Sequence, residues 1–327
     1  MVRLALIGCG KHMQTTLLPY LMRLEGYEVE VCVDLDEDAV RRVQHMSHAK
    51  SWAYQVEDID INDIDAALIA VPGNKVYSIT HYLLHHNIAC FVEKPPASTT
   101  EEVDDLLRIA HARNIYVQVG FNFRYAEAID ELHSRIIAHA GDPFTVNIEF
   151  RSKHPSGPEW GRTDPVEAWV YHNGVHALDL LQWTLGNVHQ VHANIIQTCE
   201  GKFVIVALMK HVNGSISTIK MGSLTDKFDL RMEVFTSDAH QFYLPHLGEV
   251  ILSLRHGKVV GELLYRTSNL DNGWGRAGYG PELRYFLKHY HQCECSSPSL
   301  LDALKASQLC DAVMYSLRTE APYKLVV

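Results

Sequence analysis

Three stretches of this 327-residue chain carry residue types at spacings suited to chemistry. The first is Val92-Glu93-Lys94-Pro95-Pro96, in which a lysine directly follows a short apolar strand and two prolines fix the backbone after it. At the carboxyl end of a parallel strand such a lysine opens onto a ligand crevice, where it can give or take a proton. Read alone, the same residues are also an ordinary strand-ending turn. The second stretch is Gly8-Cys9-Gly10, entered from an apolar run beginning at Val2 and followed by Leu17, Leu18, Leu21 and Leu24 on one helical stripe. Gly8 permits a tight turn and Gly10 lets the backbone approach a pyrophosphate. The helix start at Lys11, His12 and Met13 then offers orphan N–H donors and a positive dipole end. Met13 stands where a third glycine is usual.

Asp34 closes a second strand, Val29 to Val33, 24 residues after Gly10. A carboxylate there can take both ribose hydroxyls of a dinucleotide and repels a 2′-phosphate. Leu35 and Asp36 follow it rather than an arginine, so NAD is expected over NADP, although Arg41 and Arg42 lie one or two helical turns on. The third stretch runs from Tyr171 to Asp179. Asn173 reads as an N-cap, which puts His176 in a first turn where the dipole disfavours the imidazolium and a neutral ring can accept a proton. Asp179, three residues on, shares that face and can orient the ring or hold a substrate hydroxyl.

These residues need a frame. Apolar strands alternate with amphipathic helices through the first 120 residues, which predicts a parallel sheet covered on both faces. Beyond about Asn187 short strands follow one another at hairpin spacing, which predicts an open, mostly antiparallel sheet. The helices near Pro281 to His291 and Ser299 to Leu317 either cover that sheet or return to the first domain. Composition is ordinary for a globular protein, with 47% hydrophobic and 21% charged residues. A net charge of -10 has the wrong sign for a nucleic-acid backbone, so no nucleic acid is expected. No apolar run is long enough to span a bilayer, and the first residues enter a core strand with no signal peptide, so no membrane and a cytoplasmic home are expected. The seven cysteines follow no disulfide framework, and Cys293-Glu294-Cys295 is neither a redox pair nor a zinc knuckle. His172 and His176 have the spacing of a metal pair but lack the zincin glutamate and a third ligand, so no metal is expected.

Gly8-x-Gly10, Asp34, Val71-Pro72, Glu93-Lys94-Pro95, Gly120-Phe121-Asn122-Phe123-Arg124 and His176-x-x-Asp179 together resemble the glucose-fructose oxidoreductase / inositol dehydrogenase / MocA family of NAD(P)-dependent oxidoreductases. The resemblance covers nearly the whole chain. It implies an α/β protein: an N-terminal Rossmann domain with a doubly wound parallel sheet at 1–122, and a substrate-binding and oligomerisation domain with an open, mostly antiparallel sheet at 123–327. It implies that Lys94 lies near the nicotinamide and substrate as acid or base, and that His176 shares or takes over proton transfer. Gly8, Gly10, Lys11, His12, Met13, Asp34, Val71, Pro72, Glu93 and Lys94 would hold the cofactor. Arg124, Trp160, His172 and Asp179 would hold the substrate. Arg124 reads equally as a structural ion pair, and the tryptophans of the loop before His176, Trp160 and Trp169, suit either stacking on a sugar ring or plain packing. Two positions depart from the family pattern: His172, where many members carry Asp or Asn, and Val76, where His is common.

The expected activity is hydride transfer between NAD(H) and a secondary alcohol or ketone of a sugar, nucleotide-sugar or cyclitol, in a homodimer or homotetramer. Reduction of an imine or C=C bond on the same scaffold, and a non-catalytic NAD-binding regulator, are the alternatives.

Overall fold

The chain is seen here in a computed structural model that describes residues 1–137, 144–237, 240–247, 250–255, 258–266, 276–292 and 298–325; Cys293 and Cys295 lie outside the described residues. The first elements are β1 (Val2–Ile7), α1 (Leu18–Leu21), β2 (Tyr27–Val33), α2 (Glu37–Ser47), β3 (Ser51–Ala53), β4 (Ala66–Ile69), α3 (Gly73–His85), β5 (Ala89–Val92), α4 (Thr100–Arg113) and β6 (Val117–Val119). Next come α5 (Glu127–Ile137), β7 (Thr145–Arg151), α6 (Pro165–Trp169), α7 (Val175–Leu185), β8 (Val188–Gln197), β9 (Phe203–His211), β10 (Ile216–Gly222), β11 (Asp229–Phe235) and β12 (Gln241–Leu244). The chain ends with β13 (Val250–Arg255), β14 (Lys258–Arg266), α8 (Tyr279–His289), α9 (Leu300–Thr319) and β15 (Tyr323–Lys324).

Two compact units result. One comprises Met1–Asn122 with Gly278–Leu304, the other Phe123–Ala277 with Lys305–Val327. The first unit thus takes in a stretch from far down the chain that a single cut after residue 122 assigns to the second, and of the two destinations open to α8 it is the first unit that receives it.

In the first unit six parallel strands pair in the order β3-β2-β1-β4-β5-β6. Both β4 and β5 are buried at every residue, as strands sandwiched between helices must be. Strand order reverses between β1 and β4, and in such sheets ligands bind outside the carboxyl ends of the strands at that reversal. Local chemistry starts the helices that follow these strands. Asp36 caps α2 by accepting from the N–H groups of Asp38 and Ala39. Thr99 and Glu102 form a reciprocal capping box at α4.

In the second unit nine strands pair in the order β14-β13-β12-β11-β7-β10-β9-β8-β15, antiparallel throughout except for β7 with β10. Strand β9 alternates strictly, with Phe203, Ile205, Ala207, Met209 and His211 buried on one face. Its other face shows Val206 and Leu208 to solvent, and Ile196 and Phe235 are exposed on β8 and β11. His211 is wedged between Gly186 O (2.8 Å) and Ser217 Oγ (2.9 Å), and burial pushes its basicity below the usual histidine range.

Candidate functional site

In the first unit, β1 runs into the glycine turn. Gly8 has φ +87°, and a Cβ there would lie 2.5 Å from Ala70 O and 2.8 Å from Val71 Cγ1. Only glycine fits this crossing of the β1 and β4 ends. A Cβ on Gly10, by contrast, would meet nothing within 4 Å. Asp34, at the end of β2, accepts from Cys9 N at 2.6 Å and from Asp36 N at 2.9 Å. The acid therefore braces the glycine turn and the start of α2 while each oxygen keeps lone-pair capacity for a ribose hydroxyl. The helical stretch opening at Lys11 makes a π-helical turn over Met13–Leu17 before α1. Lys11 is exposed and His12 half-buried, whereas Met13 is fully buried, so only its backbone N–H can serve a ligand. The first N–H groups of a helix have no partner within it. An open approach at Gly10, a glycine-only crossing at Gly8 and an acid on the turn fit a pyrophosphate-bearing dinucleotide.

Val71 and Pro72 form the turn from β4 into α3, with Pro72 exposed and Val71 half-buried beside Gly8. Val76 is buried in the following helix. At the end of β5, Glu93 is 8% exposed and accepts from His12 Nε2 at 2.8 Å and from Lys94 N at 3.2 Å. Glu93 thereby joins the carboxyl edge of β5 to the helix start after Gly10. Half-buried Lys94 stands on that same edge.

Sequence reasoning missed what α8 brings here. Tyr279 meets the His12 ring edge-on at 5.7 Å, and burial, then Glu93 and Glu282, then Tyr20, keep its hydroxyl protonated well above the usual tyrosine range. The fully buried Glu282 is driven the same way by burial first and Glu93 second. No local spacing links residues so distant in sequence. Leu35, 78% exposed directly after Asp34, is a second missed candidate, an aliphatic surface next to that carboxylate.

In the second unit the expected N-cap at Asn173 is not formed. The helix starts at Asp164, whose carboxylate accepts from Val166 N, and continues through a π-helical turn at Val170–Gly174 into α7 without a break. Asn173 is helical, and its side chain donates instead to His154 O. His176 therefore sits well inside the helix, and the dipole argument for its neutrality does not apply. Its ring is 5% exposed and lies 4.6 Å from Phe123.

Asp179 is paired with Arg124. Both its oxygens accept from Arg124, Oδ2 from Nε at 2.8 Å and Oδ1 from Nη2 at 2.5 Å. Arg124 and Asp179 thus form a buried bidentate ion pair. The guanidinium also lies over Trp183, 5.4 Å from the ring centre, and His133 stacks on the same indole at 3.5 Å.

The loop before the helix separates its two tryptophans. Trp169 is a core residue, fully buried between Phe150 and Phe203 with its indole N–H donated to Ser152 O. Trp160, at φ +51°, is half-buried and tilted against His172 at 4.4 Å. Glu159 Oε2 stands 3.7 Å from His172 Nε2, and reciprocal backbone bonds between Glu159 and Arg162 close the loop. Trp160, Glu159 and His172 thus form one amphipathic cluster able to stack on a ring and hydrogen-bond hydroxyls. Among the described residues no group of three His, Cys, Asp or Glu side chains forms a metal set, and no helix is long and apolar enough to cross a membrane.

Known proteins are similar to this chain. Residues 2–121 match the oxidoreductase family with an NAD-binding Rossmann fold, and residues 138–240 match the GFO/IDH/MocA C-terminal domain. The chain belongs to the Gfo/Idh/MocA oxidoreductase family. An inositol 2-dehydrogenase/D-chiro-inositol 3-dehydrogenase of Shouchella clausii is 27% identical over 203 residues, 60% of this chain and 56% of that protein. The alignable region thus spans little more than half of this relative's length. A dehydrogenase from Chromobacterium violaceum superposes with a TM-score of 0.89 at 20% identity, over 98% of this chain and 96% of that one. Levoglucosan dehydrogenase in complex with NADH superposes with 0.86 at 15% identity, over 99% of each chain. These superpositions establish a shared fold.

Proposed function

We propose that this chain is an NAD(H)-dependent oxidoreductase that moves a hydride between the nicotinamide and a secondary alcohol or ketone of a sugar, nucleotide-sugar or cyclitol. One observation carries the reading: a glycine turn braced by Asp34 and a lysine at the end of β5 stand on the same carboxyl edge of one parallel sheet. The relatives' names, an inositol dehydrogenase and a levoglucosan dehydrogenase, favour polyhydroxylated substrates.

The dinucleotide, when bound, supplies the hydride acceptor or donor. Gly8, Gly10 and the N–H groups at Lys11, His12 and Met13 receive its pyrophosphate, Asp34 its ribose hydroxyls, and Val71, Pro72 and Glu93 line the remainder. NAD is preferred because Asp34 opposes a 2′-phosphate and Arg41 is already held by Glu37 at 2.8 Å and by the face of Trp52 at 4.8 Å. Lys94 takes the proton from the alcohol during oxidation and returns it during reduction, with His176 sharing the transfer. Trp160 and His172 bind the polyol, and Arg124 with Asp179 shapes their surroundings. Residues 1–122, joined by the returning stretch 278–304, serve the cofactor, and 123–277 with 305–327 the substrate. The exposed Ile196, Val206, Leu208 and Phe235 suit burial between copies in a homodimer or homotetramer. The cytoplasm is the proposed location.

The test is a fluorescence titration of NADH, followed by a screen of sugars, nucleotide-sugars and cyclitols for absorbance change at the nicotinamide band. Lys94→Met should lower kcat by about 10²–10⁴-fold while dinucleotide affinity stays within a few-fold. Binding without turnover on any polyol or imine would move the reading to a regulator.

A further inference from the structure

Glu282 is placed by its backbone. Its N–H donates to Gly278 O at 3.0 Å within the first turn of α8, and its carbonyl accepts from Gln118 Nε2 at 3.0 Å on β6. Gln118 is itself fully buried and takes a bond from Tyr116 OH. None of this needs a carboxyl group, and an apolar side chain would satisfy the same packing. Yet the carboxyl is fully buried, and neither oxygen has a hydrogen-bond partner among the described residues. Ionised, it would be an uncompensated buried charge, so the free protein holds it neutral.

The acid beside it is Glu93, which receives two donors, His12 Nε2 and Lys94 N. Glycine at 120 keeps that carboxylate close to the sheet, since a Cβ there would lie 3.1 Å from Glu93 Oε2. The other titratable groups around the pair are His12 from the helix after the glycine turn, Lys94 after β5, Tyr279 on α8 and Tyr20 in α1. Arg284 and Lys288 are on the exposed side of α8. His12, with its side chain 40% exposed, connects the pair to solvent. A buried neutral carboxyl beside a second acid at a ligand crevice responds to the ligand's charge.

We infer that Glu282 carries a proton in the free protein and releases it when the oxidised dinucleotide binds, so that the Glu93–Glu282 pair reads the positive charge of the oxidised nicotinamide ring. The inference rests on the NAD-binding reading above. The step is a proton loss only: the carboxyl O–H breaks, the electron pair stays on Glu282, and the proton is taken up by water. The reduced ring is uncharged, so NADH leaves the proton in place.

Calorimetric titration of the full chain with NAD⁺ and with NADH, each in two buffers of different ionisation enthalpy near pH 7, counts the protons exchanged. About one proton should be released per NAD⁺ bound and about none per NADH. Glu282→Gln, isosteric with the neutral acid, should bind both and release none. Equal release with the two dinucleotides, no release with either, or release that persists in Glu282→Gln overturns the inference. Should that variant not fold, the infrared difference between the NAD⁺-bound and NADH-bound native protein decides. A protonated-carboxyl C=O band lost with NAD⁺ supports the inference, and an unchanged band refutes it. Binding of neither dinucleotide fells the functional reading itself, a result distinct from binding without proton release.

Discussion

Asp179 in the second unit and Glu282 in the first are 2% and 0% exposed, and their surroundings treat them in opposite ways. Asp179 has both oxygens filled by the Arg124 guanidinium, so its charge is neutralised where it stands. Glu282 has no donor on either oxygen among the described residues and faces another acid. The first arrangement fixes a helix against the residues after β6; the second holds a group that can change its charge. A buried carboxylate with its geometry completed is scaffolding, whereas one left incomplete beside a ligand edge is a place to look for function.

The largest expected effect breaks the completed pair. Asp179→Ala takes both carboxylate bonds from the Arg124 guanidinium at 4% exposure, which costs about 3–5 kcal/mol. Urea denaturation should show the midpoint falling accordingly. The double substitution Asp179→Leu with Arg124→Met should recover most of that loss, because no unpaired charge is left buried. A loss as large as the single variant's would mean that the pair does more than neutralise itself.

The next effect, read against pH, belongs to Glu282. Its folded carboxyl is held above the ordinary carboxylate range by burial and Glu93, while in the unfolded chain it ionises at about pH 4.3. Above that pH the unfolded chain binds fewer protons than the native one, so the group's contribution is fully present below it and is lost as pH rises. Glu282→Gln should therefore raise the melting temperature by an increment that grows from pH 5 to pH 8. In the second unit the sign reverses at the acid end. Burial lowers His133 and His211, so the unfolded chain takes up more protons as pH falls through about 6.5, and stability is lost there. The acid slope should be shallower in His133→Phe, which keeps the stack on Trp183.

The two regions also differ in how far they could be read from sequence. The glycine turn, Asp34 and Lys94 are local signals in strand-turn-helix units, and their spacing alone places them on one sheet edge. Short strands such as β3 and β15 are too brief to leave a pattern, and the parallel pairing of β7 with β10 is a property of the sheet. Asn173 is a good cap by type, yet Asp164 followed by Pro165 starts the helix before His176 two turns earlier and His154 O takes the Asn173 amide. Glu282 and Tyr279 reach the Glu93 edge only because the chain returns to the first unit after Ala277, and no local period encodes a return.

The smallest effect concerns the same Arg–carboxylate chemistry moved to the surface. Arg41 and Glu37 pair at 2.8 Å with side chains 56% and 49% exposed, one turn apart on α2. Water screens such a pair, so Arg41→Gln should leave the urea midpoint within measurement error, in contrast to Asp179→Ala. The variant also sharpens the cofactor preference. Arg41 rests on Trp52 and Glu37 receives a further bond from Tyr54 OH at 2.8 Å, which together hold the guanidinium in place. If Asp34 alone excludes the 2′-phosphate, NADH affinity in Arg41→Gln stays at the native level and NADPH remains the weaker ligand by the same ratio. A selective loss of NADPH affinity would instead show that Arg41 leaves its partners to meet the phosphate, and the preference for NAD would then rest on a smaller difference than Asp34 implies.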